Sequence, residues 1–285
     1  MSVLLEVNDL RVTYPGRGLR ARPVEVLHGV SLTVGVGETL GLVGESGSGK
    51  STIGRSVLGL AAANAGTIRF GGADITHVKG KRRRELARDI QVVFQDPYSS
   101  LNPSLTIGEI LSEPLVVQGI APAIARSRIS ELLDQVGLPG NSAARLPREF
   151  SGGQRQRIAI ARALAPEPKL IVCDEPVSAL DLSTQARVLE LLDGIQRRTG
   201  VSYLFISHDL AVIRHISHRV TVLYRGDIVE TGPARVVTAT PDHPYTQRLL
   251  LAAPVADPVR QRSRRAERRR LAEQTGPAAG RSPAE

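Results

Sequence analysis

The chain has 285 residues, enough for a full hydrophobic core, and its one cysteine, Cys173, excludes an internal disulfide and any site built from several cysteines. The formal net charge is +9, but much of the excess lies in residues 260–285, which hold eight arginines and three glutamates. Aromatic residues make up 3% of the chain and tryptophan is absent, so the aromatic surface on which a single-strand binder stacks bases is largely missing, and we expect no nucleic-acid partner.

The N-terminal segment MSVLLEVNDL does not have the pattern of a secretory signal. No basic region precedes its apolar residues, and it carries Glu6 and Asp9. No apolar run approaches the roughly 18 to 20 residues that a membrane span needs. We therefore expect a soluble chain, which still allows a membrane partner.

Short β-branched runs alternate with helical patterns along the chain. Runs that are apolar at nearly every position are typical of strands covered on both faces, so they predict an α/β core with a mostly parallel sheet. The runs are TLGLVG (39–44), IQVVF (90–94), KLIVC (169–173), SYLFIS (202–207) and RVTVLY (219–224).

Between about 97 and 150 the pattern changes to helical segments broken by glycine and proline, which predicts an inserted helical subdomain. We expect one domain over residues 1–257 and a basic, disordered tail over 258–285. The basic run at 79–89 is interpreted either as a contact with lipid head groups or as a solvated helix face.

Residues 44–52, GESGSGKST, form a glycine-rich loop between a predicted strand and a predicted helix. Gly44, Gly49, Lys50 and Ser51 fit G-x-x-x-x-G-K-[ST], in which backbone N–H groups surround a phosphate, the lysine reaches its oxygens and the hydroxyl binds Mg²⁺. The predicted nucleotide contacts are Gly44, Glu45, Ser46, Gly47, Ser48, Gly49, Lys50, Ser51 and Thr52.

The run KLIVCDEP (169–176) ends an apolar strand in two carboxylates. At the carboxyl end of a parallel strand beside the loop, Asp174 is placed to hold Mg²⁺ together with Ser51. The adjacent side chain of Glu175 points differently and is placed to polarise an attacking water.

A second glycine-rich helix start is predicted at Ser151, which can cap a helix ending before Pro166. Gly152 and Gly153 weaken a helix start by about 1 kcal/mol each relative to alanine, but they let bare N–H groups approach an anion. Ser151, Gly152, Gly153 and Gln154 therefore form a second candidate phosphate-binding helix start on the same chain.

Six ordered motifs resemble the nucleotide-binding subunit of an ATP-binding-cassette (ABC) transporter over about residues 3–253. They are GESGSGKST, VVFQDP with Gln95, SGGQ, CDEP, SALD with Asp181 and ISHD with His208. The resemblance implies a P-loop NTPase core with a mostly parallel sheet, an antiparallel N-terminal β subdomain and an inserted helical subdomain. It also implies ATP and Mg²⁺ as cofactors and an ATPase activity.

The same resemblance implies roles for single residues. Glu175, His208 and Gln95 are the expected catalytic residues, with Gln95 contacting Mg²⁺ and the water and His208 contacting the γ-phosphate. Tyr14 lies where an aromatic ring stacks on adenine, although a tyrosine ending a first strand is also often ordinary core. Asp181 is expected at a dimer interface, where the SGGQ of one subunit covers the γ-phosphate held by the loop of the other.

Two further segments, VFQDPYSSLNP (93–103) and HPYTQRLLLAAP (243–254), are similar to the oligopeptide, dipeptide and nickel importers. This branch implies a second, different ATPase subunit, with a homodimer as the alternative, two transmembrane permease subunits, and indirectly an extracellular solute-binding protein. The chain would lie peripherally at the cytoplasmic face of the membrane. Residues 97–150 would receive the permease's coupling helix near 96–105.

Two alternatives use the same motifs. A soluble ABC ATPase of DNA repair or translation usually has two cassettes or a long coiled coil, whereas about 100 residues separate Lys50 from Ser151 here. An exporter cassette is disfavoured by the lack of a fused span and by the importer-like C-terminal segment. Some importer relatives carry a C-terminal cysteine cluster, and with Cys173 alone we expect no iron–sulfur centre.

Overall fold

The computed structural model describes residues 2–16 and 22–252. The predicted basic tail at 258–285 lies outside these residues. Among the described residues, none of the helices combines the length and apolar character needed to cross a bilayer.

Ten strands form two sheets within residues 2–16 and 22–252. They are β1 (Val3–Tyr14), β2 (Val24–Gly35), β3 (Thr39–Val43), β4 (Ala65–Phe70), β5 (Ala73–Asp74), β6 (Ile90–Val93), β7 (Leu170–Asp174), β8 (Ser202–Ser207), β9 (Arg219–Tyr224) and β10 (Asp227–Pro233). One sheet has the order β2-β1-β4-β5 and is antiparallel, and the other has the order β10-β9-β3-β8-β7-β6. In the second sheet only β10 runs antiparallel to its neighbour.

In the part of the chain that the structure describes, ten helices connect and cover the strands. They are α1 (Lys50–Val57), α2 (Gly80–Asp89), α3 (Pro97–Ser100), α4 (Ile107–Val117), α5 (Pro122–Gln135), α6 (Gly152–Leu164), α7 (Leu182–Thr199), α8 (Leu210–Ile216), α9 (Ala234–Val237) and α10 (Pro244–Ala252). Short 3₁₀ turns follow α5 at Gly140–Ala144 and Pro147–Glu149. The segment from α3 to the second 3₁₀ turn lies between β6 and α6, which confirms the predicted helical insertion.

The five predicted strands are confirmed, each to within one residue at either end. Their continuous apolar character follows from coverage on both faces, since successive side chains of a strand point to opposite sides. On β8, Leu204 and Ile206 belong to the core shared with the N-terminal sheet and α1. Tyr203 and Phe205 belong to the core shared with the helical insertion and α6 to α8.

The basic run at 79–89 forms α2, which has no fully buried residue, as expected for a solvated face. Arg83 departs from that interpretation. Its guanidinium donates to the carbonyl oxygen of Val57 at 2.8 Å, which satisfies an acceptor at the C-terminal end of α1. Arg83 therefore stabilises the C-terminal end of α1 through a hydrogen bond, and its side chain is not simply solvated.

Helix α8 approaches β3 closely at Gly41. A Cβ atom added there would lie 2.5 Å from Ser217 Oγ and 2.8 Å from Ile213 Cγ2, nearer than such atoms pack.

We expect Gly41→Ala to lower the free energy of unfolding by about 1 to 3 kcal/mol, measured by urea denaturation. Gly194→Ala in α7 is the control: its Cβ meets only the end of Arg198 at 3.4 Å, so helix propensity should make that variant slightly more stable. Equal effects of both variants would contradict the close approach.

Candidate functional site

The carboxyl ends of four adjacent parallel strands place the predicted site on one edge of the sheet. The loop 44–52 follows β3, His208 follows β8, Asp174 ends β7 and Gln95 follows β6. The pairing is in register, with Val43 opposite Ser207 and Asp174 opposite Ile206. Residues more than 100 positions apart in sequence therefore meet because parallel strands end together.

The phosphate loop needs its glycines for conformation and for space. Gly49 has φ +107° and precedes α1, and a Cβ there would lie 2.7 Å from Leu27 Cδ2. A Cβ at Gly44 would lie 2.1 Å from the carbonyl oxygen of Leu223. The first N–H groups of α1 have no partner within the helix, so the loop presents donors to an anion.

Lys50 is buried, and its ammonium donates to the carbonyl oxygens of Gly44 and Glu45, both at 2.8 Å. The ammonium thus reaches back from the first residue of α1 to the start of the loop. Burial lowers the pKa of Lys50, against the opposing effect of the nearby carboxylates of Glu175 and Asp174. Of the other predicted loop contacts, Ser48 and Thr52 are buried while Glu45, Ser46 and Gly47 are exposed.

Ser51 and Asp174 are joined by a hydrogen bond. The Ser51 hydroxyl donates to Asp174 Oδ1 at 2.8 Å, across 123 positions of sequence. Burial raises the pKa of Asp174, and the Ser51 bond opposes that shift. A hydroxyl and a carboxylate are the hard oxygen donors that suit Mg²⁺, so the residues present fit this ion. No group of three His, Cys, Asp or Glu side chains that could hold a metal occurs among the described residues.

Glu175 and His208 form the second pair of the site. His208 Nδ1 lies 3.0 Å from Glu175 Oε2. Glu175 has φ +50°, a left-handed conformation that is uncommon outside glycine and often marks a functional position. Its N–H donates to the carbonyl oxygen of Ile206 at 3.0 Å, so the strained residue is anchored to β8. The sequence predicted the carboxylate but not this backbone conformation.

The second glycine-rich helix start forms as predicted. Ser151 caps α6 in a capping box with Gln154, whose side chain accepts the N–H of Ser151 at 2.9 Å. A Cβ at Gly153 would lie 2.3 Å from Thr184 Cγ2, so this turn packs directly on the start of α7. In the part of the chain described, no hydrogen bond or ion pair joins Ser151–Gln154 to the phosphate loop.

Asp181 caps α7 and accepts the N–H groups of Ser183 and Thr184 at 3.1 and 3.0 Å. Hydrogen bonds from the two hydroxyls and N–H groups of Ser183 and Thr184 lower the pKa of Asp181. The carboxylate is exposed at the surface of the chain beside the Gly153–Thr184 contact. The predicted interface residue therefore also has a structural role.

The two remaining predicted residues are placed less specifically. Gln95 is exposed just beyond β6, on the correct edge of the sheet. Tyr14 ends β1, is half-buried and packs against the core shared by the N-terminal sheet and α1. Both interpretations of Tyr14, adenine stacking and core packing, stay compatible with that position. Cys173 is fully buried, as expected, and burial raises the pKa of its thiol.

The sequence did not predict two side-chain contacts that join the segment after Gln95 to α6. The Arg155 guanidinium lies 4.2 Å from the centre of the Tyr98 ring, and Arg162 donates to the carbonyl oxygen of Ser100. Tyr98 Oη lies 3.6 Å from where a Cβ of Gly152 would be. The sequence offered one signal for these contacts, the segment PYSS (97–100). It belongs to the stretch that resembles the importer branch, but that resemblance gave it no structural role.

The family described as ABC transporter matches residues 27–178. The chain is 52% identical over 267 residues to the glutathione import ATP-binding protein GsiA of Escherichia coli (strain K12), and equally to that of Shigella boydii serotype 4 (strain Sb227). Each match covers 92% of this chain and 43% of the relative. The chain therefore spans less than half the length of these curated relatives.

Two solved structures share the fold. One is cbiO1 from Clostridium perfringens, part of the ABC transporter complex cbiONQ, with a TM-score of 0.76 and 26% identity over 84% of this chain and 92% of that one. The other is the ATP-binding cassette MJ0796, a dimer in a post-hydrolysis state with ADP and Pi, with a TM-score of 0.73 and 30% identity over 81% of this chain and 99% of that one. The predicted fold class is confirmed.

The raised pKa of Asp174 predicts a pH-dependent cost to stability. Its ionised form is less favourable in the folded than in the unfolded chain, so the carboxylate destabilises the nucleotide-free fold above its folded pKa. We expect Asp174→Asn to raise the melting temperature at neutral pH, with the gain vanishing as pH falls through the ordinary carboxyl range. Thermal unfolding across pH tests this, with the exposed Asp134→Asn as control. A loss of stability in Asp174→Asn at neutral pH would contradict the interpretation.

Proposed function

The chain belongs to the ABC transporter family, and from this premise we propose that it binds and hydrolyses ATP to power an importer. The observation that carries the proposal is the pair of side-chain contacts on one sheet edge, Ser51 with Asp174 and Glu175 with His208, directly beside the glycine-rich loop. The first pair is suited to holding a cation, and the second to moving a proton.

Binding uses the loop and the start of α1. The N–H groups of the loop and the partial positive charge of the helix N-terminus favour the phosphates of a nucleotide. Lys50 brings a positive charge to the same place, since its ammonium already lies against Gly44 and Glu45. In this proposal the aromatic ring of Tyr14 packs on the base.

Ser51 and Asp174 would hold Mg²⁺, with Gln95 on the same edge, and a bound Mg²⁺ supplies positive charge that neutralises the phosphate oxygens as the bond breaks. Glu175 accepts the proton of the attacking water. Its carboxylate is mostly shielded from solvent, with 17% of the side chain exposed, so its position is well defined.

His208 orients Glu175 and faces the γ-phosphate in this proposal. Because a carboxylate only accepts hydrogen bonds, Nδ1 carries the proton that is shared with Glu175. The other ring nitrogen, Nε2, then faces the γ-phosphate. The side chain is 55% exposed, which leaves Nε2 accessible to a ligand.

Completion of the site needs a second ATPase subunit. Ser151–Gln154 and Asp181 lie near one another through the contact of Gly153 with Thr184, away from the loop's own hydrogen bonds. In the proposed dimer they cover the γ-phosphate held by the partner's loop. More than half of each curated relative lies outside the match, which is length enough for a second cassette of this size, so we propose that the partner is a different cassette.

The permease subunits bind the helical insertion in this proposal. Helices α2, α4 and α6 and strand β6 line a groove at which Val117 of α4 is 77% exposed. Arg162 of α6 also lines this groove and donates to the carbonyl oxygen of Ser100 in the segment after Gln95. Val116 and Val117 are adjacent in α4 and both are largely exposed, and in this proposal a permease segment covers them. The permease would thereby hold the chain at the cytoplasmic face of the membrane, with its coupling helix close to residues 96–105.

The proposed cargo is a small peptide or a related small solute such as nickel. The curated relatives import glutathione, itself a short peptide, and the segments 93–103 and 243–254 resemble the peptide and nickel branch. Choice among these solutes belongs to the solute-binding protein and the permease.

We expect Glu175→Gln to bind ATP with wild-type affinity and to lose ATP hydrolysis by about 100-fold or more, because the water loses its proton acceptor while the phosphate contacts remain. Binding of a fluorescent ATP analogue and release of phosphate measure the two quantities. Glu190→Gln, at an exposed position of α7, is the matched control and should hydrolyse normally. Wild-type turnover in Glu175→Gln would exclude the assigned role.

The requirement for a different partner cassette predicts the mass in solution. With Mg²⁺ and ATP, the Glu175→Gln chain should bind nucleotide and stay monomeric by light scattering. The proposal pairs its SGGQ turn with the loop of a different cassette and not with the loop of a second copy of this chain. A doubling of mass on adding ATP would instead show a homodimer and overturn the proposed choice of partner.

A further inference from the structure

The C-terminal segment that begins HPYT reaches the phosphate loop through Tyr245. This tyrosine, in the first turn of α10, is 2% exposed, and its phenol oxygen accepts the backbone N–H of Glu45 at 2.8 Å. The two residues are 200 positions apart in sequence. The resemblance to the importer branch gives this segment no structural role, and the proposed mechanism assigns it none.

Several contacts fix the position of the Tyr245 ring. The ring packs on Tyr224 at the end of β9, with 4.2 Å between centroids and 35° between planes. The Tyr245 N–H donates to His243 Nδ1 at 3.1 Å. The Glu230 carboxylate of β10 accepts the N–H groups of Asp242 and His243 at 3.0 and 3.2 Å. The start of α10 is therefore tied to the β9–β10 hairpin before it reaches the loop.

The same hairpin also holds the other end of the loop turn. Gly226, between β9 and β10, donates its N–H to the carbonyl oxygen of Ser48 at 3.0 Å, and Ser48 donates its N–H to the carbonyl oxygen of Glu45 at 3.2 Å. The N–H of Glu45 and the carbonyl oxygen of Ser48 thus bond to Tyr245 and Gly226, which both belong to the unit formed by α10 and the β9–β10 hairpin. That arrangement leaves the intervening N–H groups to face an anion.

We propose that Tyr245 is a positioning residue for the phosphate loop: by accepting the Glu45 N–H it fixes the entry to the loop in the conformation that binds nucleotide. This inference rests on the proposed ATP-binding function. Burial raises the pKa of Tyr245, so the acceptor is a neutral phenol that adds no negative charge beside the phosphates. A carboxylate in the same place would repel them.

Tyr245→Phe in the full chain tests the proposal, because it keeps the ring against Tyr224 and removes only the acceptor. We expect the Kd for a fluorescent ATP analogue with Mg²⁺ to rise about three- to tenfold, the size of one lost hydrogen bond to a backbone group. The matched control is Tyr203→Phe, which also removes a buried hydroxyl. This hydroxyl donates to the carbonyl oxygen of Leu192 at 3.1 Å, and Tyr203 lies near the start of β8, whereas the site follows the end of β8. The control variant should lower the melting temperature without changing the Kd.

Hydrogen exchange by mass spectrometry provides the second readout on the nucleotide-free chains. Peptides covering residues 44–49 should exchange faster in Tyr245→Phe than in wild type and should be unchanged in Tyr203→Phe. Unchanged affinity together with unchanged loop exchange in Tyr245→Phe would overturn the proposal. If the wild-type chain bound no ATP analogue, the proposed function would fail, and loop exchange alone would decide whether Tyr245 orders the loop.

Discussion

The site depends on the parallel, in-register pairing of β3, β8 and β7. Pairing of Val43 with Ser207 and of Asp174 with Ile206 ends three strands at one level, and the hydrogen bond from Ser51 to Asp174 is a direct result. A shift of one residue in either pair would turn the side chains that follow to the opposite face. Burial of both faces of these strands opposes such a shift, since Leu204 and Phe205 each fill a different core.

Much of the fold and of the site is predictable from the sequence. Local signals were sufficient where the chemistry is local: the apolar runs predicted the strands, Ser151 predicted a cap, and the glycine spacing predicted the loop. Parallel strands separated by helices then imply that Asp174 and His208 meet the loop. The resemblance supplied roles that spacing alone does not give, such as those of Gln95 and Tyr14.

What the sequence did not predict are contacts between distant segments. The left-handed backbone of Glu175, the bond of Arg83 to the end of α1 and the Tyr98–Arg155 contact depend on which surfaces the tertiary fold brings together. A run of basic residues has no periodic signal that marks the one arginine which turns inward. The tyrosine of PYSS likewise has a partner that becomes evident only once α6 is placed beside it.

Arg155 and Arg162 attach the segment after Gln95 to two points of α6. The two arginines lie seven residues apart, about 10 Å along the helix axis, and hold Tyr98 and Ser100 respectively. Two contacts spaced along one helix couple the position of this segment to the position of α6. In the proposed function, a displacement of residues 98–100 by a permease would therefore be transmitted through α6 to the SGGQ turn at its start, and through Gly153 to Thr184 of α7.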